Sequence, residues 1–243
     1  MLSEVEQLEL LRLACSVANL PILAGISATS TRATLQRLEQ LRDLPLRAVL
    51  VRTPSYFGSQ LDQVDFFSTL ARESPFPVLV YQIPQYTGIR LTGKQLGDMA
   101  EHPNLIGIKD SLGDLAMLNE HSWPAHFRYY LGAAALIQPG IAAGAAGGIL
   151  ALANVVPELC RKLLRLSTDP ATLQEARELQ RRLIPLSRLL GGSRGFGLAG
   201  LKAACEFRGI VAGHPRRPLR RISASEKATI EEELRELGCL NSL

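Results

Sequence analysis

Residues 77–109 carry the sequence PVLVYQIPQYTGIRLTGKQLGDMAEHPNLIGIK, which contains two short apolar runs separated by one helical pattern. The runs at Pro77–Ile83 and Leu105–Lys109 are apolar on both faces, as expected for strands buried within a parallel sheet. The pattern from Thr92 to His102 has the length and apolar period of one helix. The stretch therefore predicts a β-α-β unit.

The same alternation of apolar runs and helical patterns extends on both sides of this unit. Further short apolar runs, which bring the predicted strands to six, lie at residues 21–25, 48–52, 129–131 and 148–151. From Pro157 onward the apolar residues recur with helical period only. The pattern predicts βα units over residues 1–156 and a helical extension over residues 157–243. On pattern alone, a doubly wound sheet and a (β/α) barrel both remain open.

The first twenty residues predict a helix. Ser3 and Glu6 have the spacing of a capping box, in which each side chain bonds the other residue's backbone N–H. The apolar residues form a broad stripe that predicts a buried face. Its members are Val5, Leu8, Leu10, Leu11, Leu13 and Ala14.

The composition favours a folded protein that works away from membranes and nucleic acids. Of 243 residues, 47% are hydrophobic and 21% charged, which excludes a disordered chain. No apolar run reaches the ~18 residues of a membrane span, and the N-terminus does not resemble a signal peptide, so the predicted location is cytoplasmic. The net charge of +4 comes visibly from residues 214–221, which lack the aromatic residues typical of a nucleic-acid surface.

Neither a metal nor a cofactor is predicted. The four cysteines and four histidines are scattered, without a Cys-x-x-Cys pair or other ligand spacing. The string GFGLAG at residues 195–200 matches the dinucleotide fingerprint by its letters. It lies between two helical patterns instead of following a strand, so it predicts a chain reversal and no nucleotide site.

Lys109 is the first candidate for chemistry because it ends a buried apolar run. Burial disfavours the charged ammonium, and a neutral amine can attack a carbonyl carbon to form a Schiff base. A lysine whose charged end reaches solvent at the rim of the sheet is an even alternative for Lys109 alone. Tyr81, near the end of the preceding strand, favours the Schiff base because its phenol can relay protons. The alternative for Tyr81 is a buried aromatic with a bonded hydroxyl.

The segments at residues 80–88 and 108–114, with Lys109 lying 28 positions after Tyr81, resemble the dihydrodipicolinate synthase / N-acetylneuraminate lyase family. These are Schiff-base (class I) aldolases on a TIM barrel with a C-terminal helical extension. The resemblance implies a (β/α)8-type barrel, and the six predicted strands imply that the first two βα units are absent. The likeness is closest to 4-hydroxy-2-oxoglutarate aldolase, through residues 102–111, 147–155 and 196–202.

The resemblance also implies a reaction. Lys109 would form an imine with the keto carbon of a 2-oxo acid, and Tyr81 would shuttle protons. The expected substrate is a 4-hydroxy-2-oxo acid such as 4-hydroxy-2-oxoglutarate, cleaved to pyruvate and glyoxylate. The alternatives are 4-hydroxy-tetrahydrodipicolinate synthase, which joins pyruvate and aspartate semialdehyde, and a catalytically impaired remnant or binding subunit.

Five further residues acquire roles from the resemblance. Gly132 and Ile149 would line the pocket, Thr87 would shape the loop above it, and Ser111 would contact the distal part of the substrate. Tyr56 would enter the site of a neighbouring subunit, which implies a homo-oligomer, either a dimer or a tetramer.

Two departures from the family pattern bear on this reading. Tyr86 stands where the synthase usually has an arginine that binds a substrate carboxylate, which counts against the synthase. The Thr-Thr-Gly-Glu or Ser-Asn-Gly-Glu loop, which in the family holds the pyruvate carboxylate, has no counterpart in the sequence. Activity is therefore in doubt, and a chain expressed alone is expected to behave poorly because an incomplete barrel leaves open sheet edges.

Overall fold

A computed structural model of the chain describes residues 2–55, 62–191 and 195–240. The chain divides into two compact units. The strand unit contains residues 2–132 and 143–146, and the helical unit contains residues 133–142 and the chain from 147 onward. The boundary predicted between residues 156 and 157 remains a prediction.

The sheet has the parallel, chain-ordered pattern of consecutive βα units. Across the described ranges there are six strands: β1 Ile22–Ile26, β2 Leu46–Arg52, β3 Val78–Gln82, β4 Leu105–Asp110, β5 Arg128–Leu131 and β6 Gly147–Gly148. Within the strand unit, β1 to β5 pair in chain order, each with the next and all in parallel. A doubly wound sheet reverses its strand order at a switch point, so this order favours the barrel over the alternative. The expected absence of two units concerns sequence outside this chain and remains a prediction.

Helices separate the strands and make up most of the helical unit. In the strand unit they are α1 Glu4–Val17, α2 Thr31–Glu39, α3 Gln63–Glu73, α4 Pro84–Thr87, α5 Gly93–Ala100 and α6 Ala116–Glu120. In the helical unit they are α7 Ile137–Ala142, α8 Pro157–Thr168, α9 Leu173–Leu189, α10 Gly197–Phe207 and α11 Ala224–Glu236. The first turns are set locally by capping boxes at α1, α5 and α11, in which serine or threonine pairs with glutamate or glutamine.

The core of the strand unit lies between one face of the sheet and the helices that follow each strand. Val49, Val78 and Ile108 are fully buried in the sheet, and Phe67 and Leu96 are fully buried on α3 and α5. Burial of one such side chain contributes about 1.5–3 kcal/mol. The opposite face of the sheet is less tightly covered, and it carries the residues described in the next section.

Helix α1 forms as predicted, but the burial predicted for its apolar stripe is wrong. None of its residues is buried, and Val5 and Leu13 are 67% and 59% exposed. Polar contacts hold α1 to α2: Arg37 donates to Gln7 Oε1 over 2.9 Å and lies 3.5 Å from a carboxylate oxygen of Glu4. Within the stripe, Leu8, Leu11 and Ala14 are half-buried, whereas Val5, Leu10 and Leu13 are exposed.

The helical unit is held by a buried apolar core and by one arginine that ties three segments together. Arg208 at the end of α10 donates to the carbonyls of Val155 and Cys239 and forms a 2.6 Å ion pair with Glu158. The core residues Leu183 and Leu186 of α9 are 1% and 0% exposed. Among the helices that the structure describes, none combines the length and the apolar character needed to cross a bilayer.

Candidate active site

Four side chains form one row across strands β2 to β5, which we call the Lys109 row. Arg52 pairs with Tyr81, Tyr81 pairs with Lys109, and Lys109 pairs with Tyr130. In-register residues on neighbouring strands project from the same face of a sheet. The row therefore opens onto one face at the carboxyl ends of the strands, and all four side chains are partly buried.

The amine of Lys109 lies against the ring of Tyr81, with Nζ 4.1 Å from the ring centroid. Two effects act on its protonation. The aromatic face favours the ammonium by about 0.5–2 kcal/mol, whereas burial penalises the charge. Burial lowers the pKa of Lys109. Among the described residues no carboxylate forms an ion pair with Lys109. At a given pH, a larger fraction of Lys109 is therefore neutral than of an exposed lysine.

Tyr81 has the opposite pKa shift for the same physical reason. Burial raises the pKa of Tyr81, and a hydrogen bond with the side chain of Ser111 opposes part of the rise. The phenol is therefore protonated near neutral pH and has a hydroxyl partner next to it. An amine with a lowered pKa and a phenol with a raised pKa can exchange a proton through a bound reactant.

Ser111 is held in place by backbone contacts on both sides. Its N–H donates to the carbonyl of Gln82 over 2.9 Å, which extends the pairing of β3 and β4 by one residue. On the other side, a Cβ added to Gly132 would lie 1.9 Å from Ser111 Oγ. Glycine is thus required at position 132 for Ser111 to keep this position, and the two predicted site residues are brought together.

A buried carboxylate braces the sheet on the face behind the Lys109 row. Asp110, 3% exposed, accepts hydrogen bonds from Gln82 Nε2 over 3.0 Å, Tyr129 Oη over 2.5 Å and the backbone of Leu112 over 2.9 Å. Gln82 Oε1 in turn accepts from the N–H of Leu91 over 2.7 Å. Burial, together with the Asp110 carboxylate, raises the pKa of Tyr129, which keeps its phenol a donor. The network links the ends of three strands and fixes the backbone on both sides of Lys109.

The other three predicted site residues lie in different parts of the chain. Thr87 is buried in the turn after β3, where its hydroxyl donates to the carbonyl of Ile83 and accepts from the N–H of Ile89, both over 3.2 Å. Ile149 belongs to the helical unit. Tyr56 lies outside the described residues. The functional roles of all three remain predictions.

Sequence reasoning missed Arg52 and Tyr130 as members of the row and the network around Asp110. A signal for the network was present, since Gln82 and Asp110 directly follow Tyr81 and Lys109 at matching positions of two strands. Arg52 also ends an apolar run, at residues 48–52, but only the register of β2 against β3 places it beside Tyr81.

The described residues include no cluster of three or more histidine, cysteine, aspartate or glutamate side chains that could hold a metal ion.

The family is shown by the comparison with known proteins. The sequence matches the dihydrodipicolinate synthetase family over residues 1–237, and the chain belongs to this family, whose members are lyases. This agrees with the resemblance found in the sequence, whereas the finer likeness to 4-hydroxy-2-oxoglutarate aldolase does not follow from it.

Two relatives illustrate the match. An uncharacterised DapA-like lyase from Halobacterium salinarum is 36% identical over 225 residues, which cover 90% of this chain and 72% of the relative. A 4-hydroxy-tetrahydrodipicolinate synthase from Exiguobacterium is 32% identical over 212 residues, covering 86% of this chain and 71% of the relative.

A solved structure shows the same fold. The putative dihydrodipicolinate synthase from Thermus thermophilus superposes with a TM-score of 0.86 at 32% identity, covering 99% of this chain and 84% of that one. The parallel α/β fold of this chain is therefore the fold of TIM-barrel proteins in the family.

Proposed function

We propose that this chain is a Schiff-base aldolase that cleaves a 4-hydroxy-2-oxo acid, such as 4-hydroxy-2-oxoglutarate, to pyruvate and glyoxylate. The observation that supports it most is the contact between Lys109 and Tyr81 in a family of lyases. The lysine has no carboxylate partner among the described residues, its pKa is lowered by burial, and its amine lies 4.1 Å from the tyrosine ring.

The residues suggest a sequence of proton and bond changes. The neutral Nζ of Lys109 attacks the keto carbon to give a carbinolamine. Tyr81 donates its proton to the carbinolamine hydroxyl, which leaves as water, and the protonated imine and the Tyr81 phenolate remain. The imine withdraws electrons from the bond between C3 and C4 while Tyr81 accepts the proton of the 4-hydroxyl. That bond breaks, glyoxylate leaves, and the pyruvate enamine takes a proton at C3. Hydrolysis then releases pyruvate and restores the amine.

Ser111 gives Tyr81 a second proton partner in this scheme. The hydrogen bond between them stabilises the phenolate that forms when the tyrosine has donated its proton. In the resemblance Ser111 contacts the distal part of the substrate, and both roles are compatible with its position beside Tyr81 and Gly132.

A second candidate is 4-hydroxy-tetrahydrodipicolinate synthase, which is the name of the Exiguobacterium relative. In that reaction the same pyruvate enamine would join aspartate semialdehyde. The side chain of Tyr86 counts against it, because the position is 63% exposed and carries no charge to bind a substrate carboxylate. The aldolase and the synthase share every step up to the enamine.

Reductive trapping tests the shared chemistry. The protein is incubated with pyruvate and borohydride, and the modified peptide is mapped by mass spectrometry. We expect the adduct on Lys109 and none in Lys109→Met, while Lys94→Met, at an exposed lysine paired with Asp98, traps normally. An adduct missing from Lys109 in the unmodified protein, with no pyruvate-dependent thermal stabilisation, would favour the impaired remnant or binding subunit.

Product analysis separates the two enzymes. Release of glyoxylate from 4-hydroxy-2-oxoglutarate supports the aldolase. Formation of the dihydrodipicolinate precursor from pyruvate and aspartate semialdehyde, without glyoxylate release, would assign the chain to the synthase instead.

The proposal includes a cytoplasmic homo-oligomer, a dimer or a tetramer. It is supported by the tyrosine of the family pattern at position 56, although one solved neighbour is described as the first monomeric variant of the synthase. Sedimentation analysis tests the assembly, and a single species with the mass of one chain would contradict it. Cell fractionation tests the location.

A further inference from the structure

Arg52 is a cation on the same face of the sheet as Lys109. Its Cα pairs with that of Tyr81, whose Cα pairs with that of Lys109, so Arg52 and Lys109 lie two strands apart in one row. With strands about 4.8 Å apart, the two Cα atoms are separated by about 10 Å. Both side chains are long, and both extend from the same end of the sheet.

Within the described residues, the guanidinium of Arg52 uses only part of its hydrogen-bonding capacity. Its described partners are neutral, since Nη1 donates to the carbonyl of Thr53 and to Ser55 Oγ, each over 3.2 Å. Across residues 2–55, 62–191 and 195–240, no carboxylate forms an ion pair with it. A partly buried guanidinium has five N–H donors in a planar fork, and two of them match the geometry of a carboxylate. The position therefore has charge and donors for an anion that the described residues do not supply.

We propose that Arg52 binds the distal carboxylate of a 2-oxo diacid whose keto carbon reacts with Lys109. This inference rests on the proposed function and narrows its substrate class to 2-oxo acids with a second carboxylate. The separation within the row supports the distal carboxylate over the one next to the keto group. The inner carboxylate is attached directly to the carbon that Lys109 attacks and stays close to it. The outer carboxylate of a five-carbon diacid is several bonds away from that carbon and can therefore reach towards Arg52 on β2.

The alternative is a purely structural role, in which Arg52 fixes the loop after β2 through Thr53 and Ser55. That role predicts a loss of stability without any dependence on the charge of the ligand. Ser55→Ala removes one of these loop contacts while the guanidinium stays in place, and it therefore reports the structural role separately.

The test compares three 2-oxo acids by their half-saturating concentrations in borohydride trapping on Lys109. Pyruvate has no distal group, 2-oxoglutarate has the distal carboxylate, and 2-oxopentanoate has the same chain length with a methyl group instead. The variants are Arg52→Gln, Arg52→Lys and the control Arg47→Gln, which removes an exposed arginine at the other end of the same strand. Melting temperatures are measured for every variant.

We expect the unmodified protein to prefer 2-oxoglutarate over 2-oxopentanoate by about 10- to 100-fold, the range for hydrogen bonds to a charged group. Arg52→Gln should abolish the preference of 2-oxoglutarate over 2-oxopentanoate, and Arg52→Lys should keep part of it. Arg47→Gln and Ser55→Ala should keep all of it. Equal weakening of all three ligands in Arg52→Gln, or a preference that this substitution leaves unchanged, would overturn the assignment.

A calorimetric titration makes the outcome independent of imine formation. In Lys109→Met, 2-oxoglutarate should bind non-covalently and more tightly than 2-oxopentanoate, and adding Arg52→Gln should remove the difference. If the unmodified protein forms no adduct, the proposed function fails, and this titration still decides the role of Arg52. Absence of 2-oxoglutarate binding, or binding that ignores Arg52, overturns the inference even if Lys109 reacts with pyruvate.

Discussion

The two sides of the strand unit differ in how well each strand is covered. In β3, Val78, Leu79 and Val80 are at most 1% exposed, and the strand pairs with β2 and β4. In β1, Leu23 is 43% exposed, and the described pairing is with β2 alone. The helices follow the same division, since α3 buries five residues and α1 buries none.

The difference shows what a reactive lysine requires from its surroundings. Lowering the pKa of an amine takes burial, and burial of a strand end takes a neighbour on each side. Lys109 has both neighbours, and the hydrogen bonds of Asp110 fix the backbone behind it. A lysine at the end of β1 would have a neighbour on one side only and would titrate nearer to its ordinary pKa.

Among the substitutions near Lys109, we expect the largest effect from Tyr81→Phe. The change removes one oxygen, and with it the proton relay, so imine formation with pyruvate should slow by about 10²- to 10⁴-fold. Tyr86→Phe removes the same atom from a side chain that is 63% exposed and should leave the rate unchanged. Initial rates of borohydride-trappable adduct measure both, and equal rates for the two variants would refute the relay.

Truncation of one large side chain on each side tests the difference in packing. Phe67→Ala on α3 empties a fully buried site and should lower the free energy of unfolding by about 3–5 kcal/mol. Leu13→Ala on α1 removes a side chain that is 59% exposed and should change it by no more than about 0.5 kcal/mol. Denaturant unfolding gives both values. A large loss in Leu13→Ala would mean that another surface covers α1 in solution.

Two glycine substitutions compare the crowded surroundings of Gly132 with the open surroundings of Gly25 in β1. Gly132→Ala places a methyl group 1.9 Å from Ser111 Oγ, which should cost about 1–3 kcal/mol of stability and slow imine formation. Gly25→Ala in β1 meets no atom within 4 Å and should be neutral. The double variant Gly132→Ala with Ser111→Gly should recover stability but not the rate. Failure to recover stability would show that Ser111 is not what Gly132 accommodates.

The smallest effect is a dependence of stability on pH. The pKa of Lys109 is lowered in the folded protein, so the unfolded chain binds more protons between that pKa and the ordinary value of 10.5. Stability contributed by this group therefore rises with pH across the window and is lost as the pH falls through the lowered pKa. Lys109→Met should flatten the slope in unfolding experiments at several pH values. An unchanged slope would show that the amine is not desolvated.

The part of the fold that repeats along the chain was predictable. Strands β1 to β5 and the long helices form where short apolar runs and helical periods predicted them, because each pattern reports burial by immediate neighbours. The short helices α4, α6 and α7 were not predicted, since four to six residues give too few positions to show a period. The exposed face of α1 shows the limit of the method, because an apolar stripe indicates what a helix is able to bury and not whether a partner is present.

The sequence predicted the reactive residues of the candidate site, but not all of the residues that surround them. Lys109 was visible because it ends an apolar run, and Tyr81 because it lies near the end of the preceding one. Arg52 also ends an apolar run, but its relation to Lys109 depends on strand register, and register is set by pairing between distant segments. The positions of Gln82 and Asp110 directly after Tyr81 and Lys109 were visible, but the hydrogen bonds of Asp110 to Gln82 and Tyr129 join three strands and depend on their register.

The Lys109 row is assembled from residues that are far apart in the chain. Arg52, Tyr81 and Lys109 come from three successive strands, so no short segment contains two members, and each contact requires a whole βα unit to close first. Contacts of this range form slowly, because loop-closure entropy is lost before they contribute stability. The contact between Lys109 and Tyr81 therefore forms only when β3 and β4 pair, and the environment that lowers the pKa of Lys109 arises together with the sheet.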